Sequence, residues 1–244
     1  MHHLISRNIS LLMYLPEALR RLVGKPLPTS FYSRAFFANL LTANAVAATR
    51  YLQSMHDGTL NPLDYGSLTI QDAYYCYHAQ DTLKELLDRI DREKSPDLYD
   101  LVASKASAYD NYNRMFLEDW HIRDAECVLP TDGTRAYVAH EQRVAREEEP
   151  IYSLVAFLPC YNLWPWFARQ LMASPRYNPG VYRDWFEGVY EGEVESFGGA
   201  WALGSFIEEW KDGGGAFDES LAHDIYRTSM EFELRMFREA CTEE

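Results

Sequence analysis

Cys160 is the candidate nucleophile of this chain. It directly follows Pro159 inside an apolar stretch that begins near Pro150. A proline within a helix removes one backbone hydrogen bond and bends the helix, which gives the next side chain room to face a cavity. The chemistry that such a position permits is nucleophilic attack by a thiolate. A free cysteine more often packs as a small buried hydrophobe, and the local pattern leaves that alternative open.

Two carboxylates, those of Asp72 and Glu233, are candidates for moving protons. Asp72 stands among Leu68, Ala73 and Tyr75, and Glu233 adjoins an apolar helical stripe near the end of the chain. A carboxylate on an inward helix face must be paired or hydrogen-bonded, whereas one on an outward face is simply solvated. The sequence pattern leaves both settings open for each of the two residues.

Aromatic residues make up 14% of the chain, with 17 tyrosines and 6 tryptophans. Those near the candidate residues are Tyr74, Tyr75, Tyr77, Tyr161, Trp164, Trp166 and Phe167. Aromatic stripes usually belong to a core, but a buried tyrosine hydroxyl needs a hydrogen-bond partner. Many tyrosines around a cavity would therefore suit a flat, polar heterocycle as the ligand.

Metal and nucleotide motifs are sparse in this sequence. Glu118 and His121 form one E-x-x-H pair at helical spacing, whereas a di-iron helical bundle needs two such pairs. No G-x-G-x-x-G, P-loop or G-x-S-x-G pattern occurs, so nucleotide binding and serine hydrolysis lack support. We expect neither a bound metal nor a cofactor.

The elements that must position these residues have helical periodicity throughout. Apolar residues recur at helical spacing after Ser30, and no segment shows convincing strand alternation. The predicted helices cover residues 31–55, 61–92, 97–121, 134–147, 150–173, 182–210 and 218–241. The sequence thus predicts an all-α bundle of about seven or eight helices. This helical domain spans residues 30–244, behind an N-terminal extension and linker at residues 1–29.

Composition and charge limit the classes of partner. The 244 residues are 47% hydrophobic, which suits one globular domain, and they carry a formal net charge of -14. A strongly acidic surface repels phosphate groups, so we expect neither nucleic acid nor an anionic membrane as a partner. The four cysteines form no C-x-x-C pair, and a chain of this size with a large core does not need disulfides, so we expect reduced thiols in the cytoplasm. A short amphipathic helix is expected at the start, with a basic organellar presequence as the alternative.

Three segments together resemble the TenA/thiaminase II family. They are a D-G-T-L turn at 57–60 followed by Q-D-A-Y-Y at 71–75, L-P-C at 158–160, and F-E-L-R-M-F at 232–237. The family shows D-G-T-L, Q-D-x-Y-Y, L-P-C and Y-E-x-x-F-W in the same order and at similar spacing. Its Y-x-x-W is matched by Tyr182 and Trp185. The resemblance extends approximately from Ser30 to Cys241.

This resemblance implies a haem-oxygenase-like multi-helix bundle and the hydrolysis of thiamin or degraded thiamin. Cys160 would attack the pyrimidine ring, Glu233 would handle protons at the ring nitrogen, and Asp72 would hold the amino and nitrogen edge. Water would then displace the enzyme and leave hydroxymethyl pyrimidine. The substrate-binding tyrosines would be Tyr75, Tyr137 and Tyr161. Relatives form homo-oligomers, so a homodimer or homotetramer is implied as well.

The sequence departs from the family pattern beside the expected pocket. Val189 stands where the family often has a tyrosine, and Trp166 falls in the segment that usually carries E-x-G. Both changes indicate a reshaped pocket. The alternative is therefore a non-enzymatic or differently acting small-molecule-binding protein on the same fold, like the chlamydial death-domain-associating or quinone-biosynthesis proteins. Tyr226 and Met230 stand where the di-iron relatives have histidine and aspartate ligands, so we expect no iron.

Overall fold

The computed structural model describes residues 30–190 and 198–241. Within these ranges there are ten α-helices and no strand, which confirms the predicted all-α bundle. The helices are α1 (Phe31–Ala38), α2 (Leu40–Ala47), α3 (Arg50–His56), α4 (Pro62–Leu87), α5 (Pro96–Trp120), α6 (Asp132–Glu147), α7 (Pro150–Met172), α8 (Arg183–Val189), α9 (Gly198–Asp212) and α10 (Glu219–Glu239). None of the helices in these ranges is long and apolar enough to cross a membrane. The predicted extension and linker at 1–29 lie outside the described residues, so that domain boundary stays a prediction.

Three of the described helices begin where the sequence provides a capping side chain: α4, α6 (Thr131) and α10. The Asn61 side chain accepts a hydrogen bond from the Leu63 amide at 2.9 Å, and Pro62 takes the first position of α4. Such an acceptor satisfies an amide that has no partner within the helix. The Asp218 carboxylate does the same for α10, accepting from the Ser220 amide at 2.8 Å. The short polar cap thus fixes where each long helix starts.

The first long helix predicted from the sequence is three separate helices, α1 to α3. Asn39 interrupts it first, because its side-chain amide donates to the Ala35 carbonyl at 2.9 Å in competition with the backbone. Thr49 interrupts it again, with its hydroxyl donating to the Val46 carbonyl at 2.7 Å. The helix predicted over 182–210 is also divided, since α8 and α9 are separate helices.

Helix α7 occupies the middle of the bundle. It packs against α10, α9, α6 and α2, and most of its residues are buried. The helix continues through Pro159 and Pro165, although a proline lacks the amide that an α-helix uses at that point. Neighbouring helices on several sides therefore hold in place the element that carries Cys160.

Gly58 marks a joint between the α3–α4 turn and the segment that leads to α8. Its φ of 69° is left-handed, and a Cβ there would lie 2.7 Å from the Asn178 carbonyl oxygen. The Asn178 amide donates to the His56 carbonyl at 2.9 Å, and the Tyr182 hydroxyl donates to the Leu60 carbonyl at 2.7 Å. Because only glycine tolerates both the φ value and the close approach, the turn and the segment before α8 meet directly.

Candidate active site

A cavity of about 140 Å³ opens beside the middle of α7 and contains the candidate nucleophile. Helix α7 contributes Cys160, Tyr161 and Trp164 to its wall. The other lining residues are Asp72, Tyr75 and Cys76 from α4, Tyr109 and Tyr112 from α5, Pro165 from α7, and Gly188 and Val189 from α8. Pockets for drug-sized ligands usually measure roughly 300–1,000 Å³. A smaller space rich in tyrosine suits a single planar ring with polar edges.

Glu233, on α10, is buried, with both carboxylate oxygens hydrogen-bonded. The Tyr137 hydroxyl donates to Oε1 at 3.1 Å, and the Trp164 indole donates to Oε2 at 3.2 Å. Burial raises the pKa of this carboxyl to about 7, although these two bonds and one from the Cys160 thiol oppose the rise. Near neutral pH the group can therefore both give and take a proton.

Asp72, on α4, borders the same cavity. Removal from water raises the pKa of its carboxyl to about 7, and a hydrogen bond from the Cys76 thiol at 3.8 Å partly opposes the rise. A carboxylate accepts hydrogen bonds from an amino group, whereas a protonated carboxyl donates one to a ring nitrogen. Asp72 can adopt either form near neutral pH, as a residue at the polar edge of a heterocycle requires.

The Cys160 thiol is half-buried and lies within the electrostatic reach of three carboxylates. Burial raises its pKa well above the usual range, and the carboxylates that add to the rise are Glu233, Asp72 and Glu141. A hydrogen bond with Tyr75 works in the other direction. The resting group is therefore a thiol, and it must lose its proton to a neighbour before it can attack.

Glu141, on α6, is a buried acid that the sequence analysis did not single out. It is only 1% exposed, and its Oε1 accepts a hydrogen bond from the Tyr75 hydroxyl at 2.8 Å. Burial raises its pKa well above the usual carboxyl range, and the charge of Glu233 adds to the effect. Its position four residues after Tyr137 puts both on one helix face, which is the one sequence signal that could have pointed to it.

The three tyrosines predicted to bind substrate differ in position. Tyr75 and Tyr161 line the cavity, whereas Tyr137 is fully buried and reaches the site through Glu233. The rings of Tyr75 and Tyr137 lie 5.0 Å apart, so the two tyrosine–carboxylate pairs adjoin each other. The Tyr137 hydroxyl therefore hydrogen-bonds Glu233, and Tyr75 and Tyr161 are the tyrosines that can contact a bound ring.

Of the two residues at which the sequence departs from the family pattern, one lines the cavity and one does not. Val189 lines it. Trp166 does not, since it is buried against Phe36 with ring centres 5.5 Å apart. Residues four apart share a helix face, so Trp164 stands beside Cys160 whereas Trp166 points away. Trp164 is thus the tryptophan in the cavity wall, whereas Trp166 lies outside the lining.

No group of three or more histidine, cysteine, aspartate or glutamate side chains is arranged to hold a metal in the two described ranges. The E-x-x-H pair stands at the exposed end of α5. There His121 adopts a left-handed φ of 55° and ends the helix, while Glu118 remains on its last turn. These two residues are part of a helix terminus, away from the cavity lining.

The ten helices of the described residues have the arrangement found in solved TenA structures, the haem-oxygenase-like bundle that the resemblance implied. No protein-family model matches the sequence, and no curated protein matches it. The structural similarity to TenA proteins is therefore the comparison that defines the fold.

Three solved structures illustrate this similarity. A TenA homologue from P. horikoshii OT3 has a TM-score of 0.69 at 19% identity, over 87% of this chain and 98% of that one. A TenA homologue from Pyrococcus furiosus has a TM-score of 0.71 at 14% identity, over 86% and 100%. A putative TenA-like thiaminase from Sulfolobus solfataricus has a TM-score of 0.60 at 18% identity, over 85% and 94%. At these identities the comparison establishes the shared fold.

Proposed function

We propose that the chain is a thiaminase II-like hydrolase of the TenA family that acts on aminopyrimidines in thiamin salvage. The observation that carries the proposal is the junction of three groups at one small cavity. Cys160 and Asp72 line it, and Glu233 is tied to its wall by the hydrogen bond from Trp164. A nucleophile beside two acids that titrate near neutral pH can catalyse a nucleophilic substitution in two steps, because the acids supply and remove the protons.

The proposed reaction begins with the bond between the Cys160 sulfur and a ring carbon. The ring nitrogen takes a proton from Glu233 as the sulfur adds. The exocyclic carbon–nitrogen bond then breaks. An aminomethyl pyrimidine loses ammonia, whose nitrogen takes the proton that the thiol gave up, and thiamin loses its thiazole as a neutral ring while the thiol proton goes to solvent. Water adds its hydroxyl to the exocyclic carbon, its remaining proton restores the thiol as the carbon–sulfur bond breaks, and Glu233 recovers its proton from the ring nitrogen. The net change is hydrolysis of a carbon–nitrogen bond to give hydroxymethyl pyrimidine.

Turnover by the full chain tests this function. The purified protein is incubated with aminomethyl aminopyrimidine and, separately, with thiamin, and hydroxymethyl pyrimidine is measured by chromatography. We expect product to accumulate in proportion to enzyme concentration with at least one of the two substrates. Absence of product from both, in protein that binds the pyrimidine in a thermal-shift assay, contradicts the proposal.

A non-catalytic or differently acting binding protein is the second candidate, and two observations favour it. The pKa of the Cys160 thiol is raised well above the usual range, which keeps the nucleophile protonated. Val189 also leaves the wall without the tyrosine hydroxyl of the resembled family. Binding of an aminopyrimidine without turnover is the result that this candidate predicts.

The remaining partner assignments follow from the same proposal. The ligand is a small pyrimidine, and the charge of -14 disfavours nucleic acid and anionic membranes. We propose assembly as a homodimer or homotetramer in the cytoplasm, with exposed aromatic residues supplying apolar contacts between subunits. Analytical ultracentrifugation at micromolar concentration tests the assembly, and a single monomer peak contradicts it.

A further inference from the structure

We infer that Trp164 is a positioning residue for Glu233: its indole N–H holds one carboxylate oxygen at the cavity wall and favours the ionised form of this buried acid. The inference rests on the proposed function and names the group that allows Glu233 to release its proton. Trp164 lines the cavity one helical turn after Cys160. Glu233 is only 1% exposed and is not itself a lining residue, so the hydrogen bond from Trp164 connects it to the wall.

The indole is held in one orientation by the rings around it. Its nitrogen lies 3.2 Å from Glu233 Oε2, across the contact between α7 and α10. Aromatic rings from three helices pack against it, with ring centres 5.8 Å away for Phe167 on α7, 5.8 Å for Trp185 on α8 and 5.3 Å for Phe237 on α10. The N–H therefore stays directed at the acid, and the acid stays at the wall.

The two donors to Glu233 differ in what each can do after the acid is protonated. An indole N–H can only donate a hydrogen bond, so Trp164 binds the carboxylate more strongly than the neutral acid. The Tyr137 hydroxyl donates to Oε1 at 3.1 Å, and it can also turn and accept from a protonated Glu233. Tyr137 can thus stabilise both forms of the acid, whereas Trp164 stabilises mainly the ionised form.

This preference opposes the effect of burial. Burial raises the pKa of Glu233 to about 7, and the bond from Trp164 is the largest of the influences that lower it again. The other titratable groups that face this carboxyl are Cys160 on α7, Tyr137 and Glu141 on α6, Asp72 on α4, and Tyr226 on α10. An acid whose pKa lies well above the working pH gives up its proton slowly. Without the indole N–H, Glu233 would therefore be a poorer proton donor to a bound ring.

Titration of Glu233 in the substrate-free protein tests the inference. Trp164 is replaced by benzothienylalanine, which keeps the shape of the fused rings but has sulfur in place of the N–H group. Infrared difference spectroscopy follows the carbonyl stretch of the protonated acid across neutral pH, and the band of Glu233 is the one that Glu233→Gln lacks. We expect the midpoint to rise by about one to two pH units, the usual effect of losing one hydrogen bond to a charged group.

The outcome in the folded variant decides the inference. An unchanged or lower midpoint in the benzothienylalanine protein overturns it. If that protein does not fold, Trp164→Phe removes the same N–H group and is read by the same criterion. Tyr137→Phe should shift the midpoint less, because Tyr137 can serve both forms of the acid. A larger shift in Tyr137→Phe than in the Trp164 variant would assign the balance to the hydroxyl and overturn the inference as well.

Trp166→Phe is the matched control for packing. It makes a similar change two residues further along α7, at a buried ring outside the cavity lining, and should leave the midpoint of Glu233 unchanged. An equal shift in Trp166→Phe would mean that repacking of α7, rather than the hydrogen bond, moves the midpoint, and this result also overturns the inference.

Turnover of aminomethyl pyrimidine is measured separately. If the wild type is active, the alkaline limb of kcat/KM should move to higher pH in the Trp164 variant by the same amount as the midpoint, because Glu233 must be protonated when the sulfur adds. A raised midpoint without any turnover by the wild type supports the role of Trp164 and contradicts the hydrolase. Turnover with an unchanged midpoint does the reverse, so the two failures are distinguishable.

Discussion

Two concave surfaces of the molecule differ in size and in chemistry. The cavity at Cys160 measures about 140 Å³, whereas a groove between the start of α5 and the end of α9 measures about 290 Å³. The groove is lined by Lys94, Ser95, Pro96, Asp97, Leu98, Phe206, Glu209, Trp210, Gly213 and Gly215. Its charged side chains are exposed to water, and Lys94 forms an ion pair with Asp91 at 2.8 Å.

The smaller surface has the reactive groups because its acids are out of water. The pKa values of Asp72 and Glu233 are raised to about 7 by burial, and that of the Cys160 thiol is raised as well. Raised pKa values of this kind mark candidate functional sites, whereas the volume of a cavity indicates only how large a ligand it could hold. The comparison predicts that equal substitutions will have unequal effects in the two places.

The largest effect is expected from Cys160→Ser. The hydroxyl is similar in size but a far weaker nucleophile, so release of hydroxymethyl pyrimidine should fall by at least about a thousandfold while the fold is retained. Product is measured by chromatography and the fold by circular dichroism. Cys127→Ser and Cys241→Ser are the matched controls and should keep wild-type turnover, since neither residue lines the cavity. Undiminished turnover in Cys160→Ser would end the nucleophile hypothesis.

Glu233→Gln should follow with a loss in kcat of about 10² to 10⁴, the usual contribution of a general acid–base group. Gln can still accept a hydrogen bond from Tyr137 or Trp164 but cannot exchange a proton with the ring. The KM should change less than kcat, because ring binding depends mainly on other groups. Steady-state kinetics at several pH values provides the measurement, and an unchanged kcat would contradict the assignment.

A smaller effect is expected on stability, and its sign depends on pH. The folded-state pKa of Glu233 is raised from 4.5 to about 7, so the folded chain binds more protons than the unfolded chain between these values. The contribution of this group to the free energy of unfolding is therefore full below about pH 4.5 and falls as pH rises to about 7. Glu233→Gln removes this pH dependence. As the pH rises from 4.5 to 8, the free energy of unfolding of the variant should therefore increase by about 3 kcal/mol relative to that of wild type.

Urea denaturation of both proteins at the two pH values checks this prediction. Groups distant from Glu233 contribute equally to the two proteins, so the difference between them reports Glu233 together with the neighbours whose pKa values its charge raises, Glu141 and Cys160. A difference that stays constant with pH would mean that the carboxyl is not perturbed in the folded chain.

Glu209→Gln should have the smallest effect. It is the same chemical change in the larger groove, at an exposed position. Removing a solvated charge usually alters stability by no more than about 0.5 kcal/mol, and kcat/KM for the pyrimidine should stay within about twofold of wild type. Kinetics and thermal denaturation run beside Glu233→Gln provide the measurement. A loss comparable to that of Glu233→Gln would move the functional site to the groove.

Much of this arrangement follows from sequence periodicity. Helical spacing predicts the all-α class, and the Asn61–Pro62 cap predicts where α4 begins. These features depend on neighbours within a few residues or on the face of a single helix, which a sequence displays directly.

The remaining features depend on helix phase and on contacts between distant segments. Glu141 lies in a polar run, H-E-Q-R at 140–143, where its neighbours resemble a solvated surface. Only packing against α4 shows that it accepts from Tyr75, 66 residues away along the chain. Trp164 and Trp166 are the same residue type on different sides of α7, so residue type alone does not show which of them lies in the cavity wall. The break at Asn39 arises from one side-chain hydrogen bond, which apolar periodicity does not detect.

The contacts at Gly58 give the D-G-T-L turn a structural role. The turn is not among the residues that line the cavity. It instead anchors the segment before α8, the helix that contributes Gly188 and Val189 to the cavity wall. A side chain at Gly58 would push Asn178 away and shift that wall relative to α7. The turn at 57–60 and the cavity at Cys160 are thereby coupled, although they are far apart in sequence. An inherited change in the turn would alter how a substrate fits the cavity without changing any reactive group.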